Sequence, residues 1–207
     1  MTSLIELCKN NDTYNIKTCD EWLNKIYLNK QLNSIPHIHT DKYYVHSYMP
    51  VYEMLFNDLR DKNINLLEIG VQNGGSLELF RRYFINGTVT GIDIINMPLW
   101  LLNRERSKIF QKNGYCSETL NTFENGSFDI IIDDGPHDLN SMLYVSKFYV
   151  DKLKIGGLLI IEDIPDINWT NNILQNIPSG FNFEYKIHDL RPIKKRFDDI
   201  MLVIKRV

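Results

Sequence analysis

From about Asn65 to the C-terminus, short apolar runs alternate with stretches of helical spacing. The runs are NLLEIG, TVTGID, SFDIIIDD and GGLLIIED, followed by FNFEYKIH and DIMLVIKRV. Runs that are apolar on both faces, with helical patterns between them, predict parallel strands in βαβ units. Helices are predicted from Ser76 to about Tyr83, over part of Leu99 to Gln111, and from Leu139 to about Leu153. A short charged loop joins the last two runs. It has no room for a crossover and predicts an antiparallel hairpin. Upstream the texture is different. Met1 to about Cys8 is a short amphipathic start, Asp20 to about Leu32 has helical spacing with Asp20 as N-cap, and Val51 to about Arg60 places Tyr52, Leu55, Phe56 and Leu59 on one face. Between the last two lies SIPHIHTDKYYVHSYMP, broken by Pro36 and Pro50. The chain therefore divides into an N-terminal helical cover and lid, residues 1–60, and one compact α/β unit, residues 61–207, whose mostly parallel sheet ends in an antiparallel pair with helices on both faces.

Composition narrows the class without naming a chemistry. A chain of 207 residues suits one α/β unit with a sizeable core. With 23 Lys and Arg against 26 Asp and Glu, the net charge of −3 argues against a coat for nucleic acid or anionic membrane. The basic KKR at Lys194 to Arg196 is a small patch that reads equally as a solvated hairpin tip. No apolar run approaches the ~18–20 residues that span a bilayer. Three cysteines without a metal-ligand spacing, and no leader pattern, fit a reducing cytoplasm (the host's, if the source is viral). The absence of alanine beside many Asn, Ile, Lys and Tyr points to an AT-rich genome.

Sheets of this kind bind ligands outside the carboxyl ends of their strands. The first predicted strand runs into Gly70, Gly74 and Gly75, ahead of a helix starting near Ser76. Glycines there let backbone amides approach a ligand, and the helix N-terminus favours an anionic group; a plain tight turn accounts for them equally well. The pattern is neither G-x-G-x-x-G nor a phosphate loop. The second strand ends in Asp93, about 20 residues past Gly70, where a carboxylate can accept hydrogen bonds from a ribose diol. Turn and acid together favour a nucleoside-bearing cofactor. The sharpest signal is IIIDDGPHD with LLIIEDI: Asp133, Asp134 and His137 in one turn, Glu162 and Asp163 at the next strand's end. One crossover helix fits between them, so the two ends should be neighbours. Four carboxylates on one edge repel unless a cation or protons neutralise them. An all-oxygen set suits a hard divalent ion such as Mg²⁺; helix caps and surface acids are the plainer alternative. His137 is placed to act as a general base near neutral pH, or to support the acids structurally.

These residues resemble a known family. LLEIGVQNGG followed by GIDI is similar to the cofactor motifs of class I S-adenosylmethionine-dependent methyltransferases. IIIDDGPHD with IIEDI resembles the metal-dependent sugar O-methyltransferases of macrolide biosynthesis and their relatives, including a group labelled cephalosporin hydroxylase. The likeness runs from about His37 to the C-terminus and takes in Thr40, Asp41, Lys42, His46, Tyr48 and Tyr52, and the tail DLRPIKKRFDDIMLVIKR. Two departures stand out: Pro136 replaces a serine in the usual Asp-Asp-Gly-Ser-His turn, and GYCSE stands where Gly-Asp-Gln-Ser is more common.

The resemblance implies a Rossmann-like class I methyltransferase fold, with a seven-stranded, mostly parallel sheet, and a Mg²⁺-dependent enzyme that methylates a hydroxyl of a nucleotide sugar, glycan or glycoside. A catechol or other vicinal diol is an alternative acceptor, and a non-catalytic binding protein is an alternative of another class. It implies that Glu68, Gly70 and the turn Gln72, Asn73, Gly74 to Ser76 hold the methionine end of S-adenosyl-L-methionine. Asp93 would bind the ribose, Ser117 would sit beside the adenine, and Asp133 would belong to the cofactor side. Asp134, Glu162 and Asp163 would ligate Mg²⁺, with His137 as the base. Lys42, His46 and Tyr48 belong to a segment that is either a sugar-facing lid or a packed cover, and His37 with His39 forms an H-x-H pair that reads as solvated loop residues, with metal binding as the alternative. His188 and Arg191 are expected to shape the acceptor pocket. The expected partner is a small-molecule sugar or glycan, with no nucleic acid and no membrane; a homo-oligomer is compatible with all of this.

Overall fold

A computed structural model describes residues 2–10 and 36–207; the helix expected over Asp20 to Leu32 lies outside the described residues. Seven strands form one sheet: β1 Asn65–Ile69, β2 Thr88–Asp93, β3 Ser107–Gln111, β4 Phe128–Asp133, β5 Leu153–Ile161, β6 Phe183–Asp189 and β7 Ile200–Arg206. Their order is β3-β2-β1-β4-β5-β7-β6, parallel except for β7, which runs antiparallel to both β5 and β6. The C-terminal hairpin thus closes the sheet with its last strand tucked inside. The order reverses direction between β1 and β4, and that opens a crevice at their carboxyl ends.

Alternate residues of each strand feed opposite cores, as the two-residue repeat of a strand requires. Leu66, Val89, Ile130, Ile160 and Val203 join a cluster with the helices Leu4–Asn10, Met49–Phe56 and Gly75–Tyr83. Leu67, Ile92, Ile131, Leu159 and Leu202 join the other, under the helices Leu139–Phe148 and Trp169–Asn176. Burial on both faces is why these strands read as continuous apolar runs.

Three expectations change. The helix expected over part of Leu99 to Gln111 is the single turn Leu99–Leu102, and it is followed by edge strand β3, which the spacing does not predict. SKIFQ is too short to declare a period, and pairing with β2 decides it, with Ile109 packing on one core and Phe110 on the other. The helix expected from Val51 begins at Met49, with Pro50 in its first turn, ends at Phe56 and tightens into a 3₁₀ turn over Asn57–Leu59. His37 and His39 are not solvated. Both are buried, stacked 5.8 Å apart, with His37 also against Trp100; burial beside His39 lowers the pKa of His37 to about 4.

Gly70 ends β1 with φ +88°, and a Cβ on it would lie 1.9 Å from the Asp134 carbonyl oxygen. The first turn of the cleft and the acidic turn after β4 are therefore in backbone contact. Gly70→Ala is expected to destabilise the protein by about 3 kcal/mol or more, through the left-handed backbone and the clash together. A lowered urea midpoint at unchanged slope is the readout.

Candidate active site

A cleft of about 520 Å³ opens at the carboxyl ends of β1, β2 and β4, within the range of small-molecule sites. Its walls include Gly70, Gln72, Asn73, Gly75 and Ser76 after β1, and Asp93, Ile94 and Ile95 after β2. Lys112 to Tyr115 lie after β3, Asp134 to His137 after β4, and His39 to Asp41 close the cleft from the N-terminal strap.

Asp93 organises the turn opposite it. Its Oδ2 accepts the N–H groups of Val71 at 2.8 Å and Gln72 at 2.7 Å, and its Oδ1 accepts that of Ile95 at 3.1 Å. Gln72 is held at φ 52°. Glu68 lies in mid-strand, fully buried; its Oε2 accepts the Ser76 hydroxyl at 2.8 Å, while Oε1 has no hydrogen-bond partner. Burial raises the pKa of Glu68 to about 7, against the pull of Lys42. That oxygen lies 3.5 Å from Lys42 Nζ, and Glu68 does not line the cleft; it reaches the glycine turn through the Ser76 hydroxyl. The cleft itself fits an adenosyl group: the Asp93 carboxylate for a diol, and apolar Ile94 and Ile95 for a base.

The acidic edge is assembled from three elements. Asp134 follows β4, Glu162 and Asp163 follow β5, and His137 turns back over them with φ 55°. Asp163 also has a positive φ, 52°. Left-handed non-glycine residues cost of order 1–3 kcal/mol and gather where surrounding structure imposes them. Asp134, His137 and Asp163 bring one ligand atom each to within 4.8 Å of one another. His137 Nε2 lies 3.8 Å from Asp134 Oδ1 and 3.6 Å from Asp163 Oδ2. The other oxygen of each acid is held from behind: Asp134 Oδ2 by Lys42 Nζ, and Asp163 Oδ1 by the Tyr48 hydroxyl and by His46 Nδ1 at 3.1 Å. His46 also reaches Asp199 Oδ1 at 3.3 Å and stacks on Tyr48. Burial pushes the Asp134 and Asp163 carboxyls above the usual range, opposed by Lys42 and His46 respectively. Two carboxylate oxygens left facing one imidazole nitrogen fit a divalent cation with open coordination positions.

Glu162 stands apart from that trio. It is fully buried, with Oε2 on Lys42 Nζ and Oε1 accepting the Tyr52 hydroxyl at 2.5 Å. Lys42, His46 and Tyr48 are buried too, so the segment is a packed cover whose polar ends reach the acids. Asp133 is buried and accepts the Tyr115 hydroxyl at 2.6 Å; burial raises its pKa to about 6. Gly135 makes room for that contact, since a Cβ there would meet the Tyr115 oxygen at 1.7 Å. Ser117 starts a short helix, Ser117–Leu120, just past the cleft wall formed by Lys112 to Tyr115. His188 and Arg191 do not line the cleft, and Arg191 pairs with Asp189 on the exposed hairpin. Tyr115 and Asp199 were not singled out from the sequence. The adjacent acids of RFDDI and the tyrosine of GYCSE carry no spacing that marks them.

The comparisons with known proteins follow the same lines. No protein-family model matches the chain. It is 31% identical over 137 residues to the 8-demethyl-8-alpha-L-rhamnosyl tetracenomycin-C 2'-O-methyltransferase of Streptomyces olivaceus, covering 63% of this chain and 36% of the relative. It is 31% identical over 136 residues to the mycinamicin VI 2''-O-methyltransferase of Micromonospora griseorubida, covering 61% and 33%. Its relatives are sugar O-methyltransferases. Among solved structures, the MycE methyltransferase in complex with Mg, SAH and mycinamycin VI superposes with a TM-score of 0.63, at 22% identity over 81% of this chain and 51% of that one. The fold is that of the class I methyltransferases. The chain spans about a third of the length of the curated relatives it matches. Among the described residues no helix is long and apolar enough to cross a membrane.

Proposed function

We propose that this protein is a divalent-metal-dependent S-adenosylmethionine O-methyltransferase acting on a sugar hydroxyl, on a small glycoside or nucleotide sugar. The observation that carries the reading is the junction of two half-sites in one cleft: a turn fastened to Asp93, and an acidic edge whose free oxygens face His137. The names of the tetracenomycin and mycinamicin relatives, both O-methyltransferases, support the acceptor class.

Bound S-adenosylmethionine supplies an electrophilic methyl group, and a divalent ion lowers the pKa of a nearby hydroxyl. The chain's own residues do the rest. The turn Gly70 to Ser76, backed by Glu68 through the Ser76 hydroxyl, would receive the methionine end, and Asp93 would accept hydrogen bonds from the ribose diol. Asp134 and Asp163 offer Oδ1 and Oδ2 to the metal, and Glu162 supports that edge. His137 Nε2 would accept the proton that the acceptor hydroxyl loses as its oxygen takes the methyl group, with the electrons of the S–CH3 bond kept on the sulfur of the departing S-adenosylhomocysteine. Alignment and exclusion of water are the remaining requirements, and the packed strap provides the covering wall.

The test is a panel of simple glycosides and nucleotide sugars incubated with labelled S-adenosylmethionine and Mg²⁺, read as label transferred to acceptor. S-adenosylhomocysteine should bind at micromolar levels by calorimetry; failure of well-folded protein to bind it refutes the reading. Asp93→Ala should weaken that binding about 10–100-fold, the effect of losing charge-assisted hydrogen bonds.

A further inference from the structure

Lys42 is the cation on which the acidic residues converge. Its ammonium is almost fully buried and touches three carboxylates from three parts of the sheet. These are Asp134 Oδ2 after β4, Glu162 Oε2 after β5, and Glu68 Oε1 in β1, the last at 3.5 Å. It comes from outside the sheet, on the four-residue helix Asp41–Tyr44, whose N-cap Thr40 accepts the Lys42 backbone N–H at 3.3 Å. A buried ammonium needs all three of its donors satisfied, and carboxylates from three parts of the sheet face it here.

The contacts have a directional consequence. A carboxylate is planar and its terminal torsion is soft, so fixing one oxygen fixes where the other points. With Oδ2 held by Lys42, Asp134 can offer only Oδ1, which faces His137 Nε2 at 3.8 Å. Glu162, gripped by Tyr52 through its other oxygen, anchors the ammonium from the far side. Tyr48 and His46 hold Asp163 in the same way, by Oδ1, and leave Oδ2 free. Each acid that faces His137 is thus fixed from the strap.

We propose that Lys42 is a positioning residue that aims the Asp134 carboxylate for divalent-ion binding, so that docking of the strap and formation of the metal site are one event. This rests on the metal-dependent reading above. Simple Coulomb attraction expects the opposite result when Lys42 is neutralised, because removing a cation from beside the acids should tighten a divalent ion. Groups that orient metal ligands cost 10–100-fold in metal affinity when lost.

The experiment uses the full chain, with Mn²⁺ as the probe, read by electron paramagnetic resonance, and S-adenosylhomocysteine affinity read by calorimetry without metal. Lys42→Met, of similar length and uncharged, should weaken Mn²⁺ binding about 10–100-fold and change S-adenosylhomocysteine affinity less than about threefold, since Lys42 does not line the cleft and makes no hydrogen bond to the turn held by Asp93. Unchanged or tighter Mn²⁺ binding overturns the proposal. Should Lys42→Met fold poorly, Lys42→Ala with added propylammonium replaces it. Saturable recovery of Mn²⁺ affinity supports positioning. No recovery overturns it, and so does loss of S-adenosylhomocysteine binding in both variants, because the lysine then holds the fold and not the acids. Wild-type protein that binds neither probe refutes the proposed function itself; wild type that binds both, with Lys42→Met unaltered, refutes only the role of Lys42.

Discussion

Dialysis against EDTA is expected to lower methyl transfer by about 10³-fold or more, with recovery on adding Mg²⁺ or Mn²⁺ and with S-adenosylhomocysteine binding retained. The two half-sites explain the asymmetry. The cofactor wall is built by hydrogen bonds that involve no acid of the metal trio: Asp93 to the backbone of Val71, Gln72 and Ile95, and Ser76 to Glu68. Among the described residues, the proposed acceptor side has no comparable source of positive charge directed at an acceptor oxygen, since Lys42 is buried behind Asp134 and His46 lies between Asp163 and Asp199. An unassisted sugar hydroxyl is scarcely ionised near neutral pH, and several kcal/mol of barrier fall to the ion. Asp134→Asn should behave like EDTA treatment without the recovery. Full activity in chelator, on protein shown to be metal-free by elemental analysis, would remove the metal from the reaction.

The parts of this site that were legible in the sequence are those that obey a local rule. Strand ends announce themselves because an apolar run buried on both faces stops abruptly, and β1, β2, β4 and β5 each stop in a glycine turn or an acid. Asp93, Asp134, His137 and Asp163 could therefore be placed near one cleft before any fold was seen. The parts that were not legible depend on pairing across long stretches of chain. SKIFQ has no decisive period until β2 pairs with it. The histidines at His37 and His39 sit in a polar, proline-broken segment, the composition of a solvated loop, yet that segment packs into the core beside Trp100. The partner of Glu162 was hidden for the same reason: Lys42 lies far upstream, and nothing local relates a lysine in TDKYY to an acid in IIEDI. Local patterning predicts which residues reach a strand end; it does not predict which of them are held from behind.

His137→Ala should reduce the rate of methyl transfer by about 10²–10⁴-fold, the range for loss of a general acid–base group, with both S-adenosylhomocysteine and Mn²⁺ affinities nearly unchanged. The second half of that expectation separates two jobs that the geometry permits. His137 Nε2 lies with Asp134 Oδ1 and Asp163 Oδ2 inside a 4.8 Å group, close enough for an imidazole to be a third metal ligand. Three features favour the base. Its ring is about a third exposed, whereas both acids are mostly covered. Asp134 and Asp163 each have an oxygen fixed by the strap, while His137 is held by its backbone turn at φ 55°. It lines the cleft itself, alongside Pro136, where an acceptor hydroxyl would enter. A base must reach the proton it abstracts, and a side chain at the mouth of the cleft does so without moving the acids. Single-turnover rates with Mn²⁺ saturating measure the chemical step, and a titration of Mn²⁺ into the variant measures ligation. A rate loss below tenfold would demote His137 to a structural role, and a tenfold or greater fall in Mn²⁺ affinity would make it a ligand.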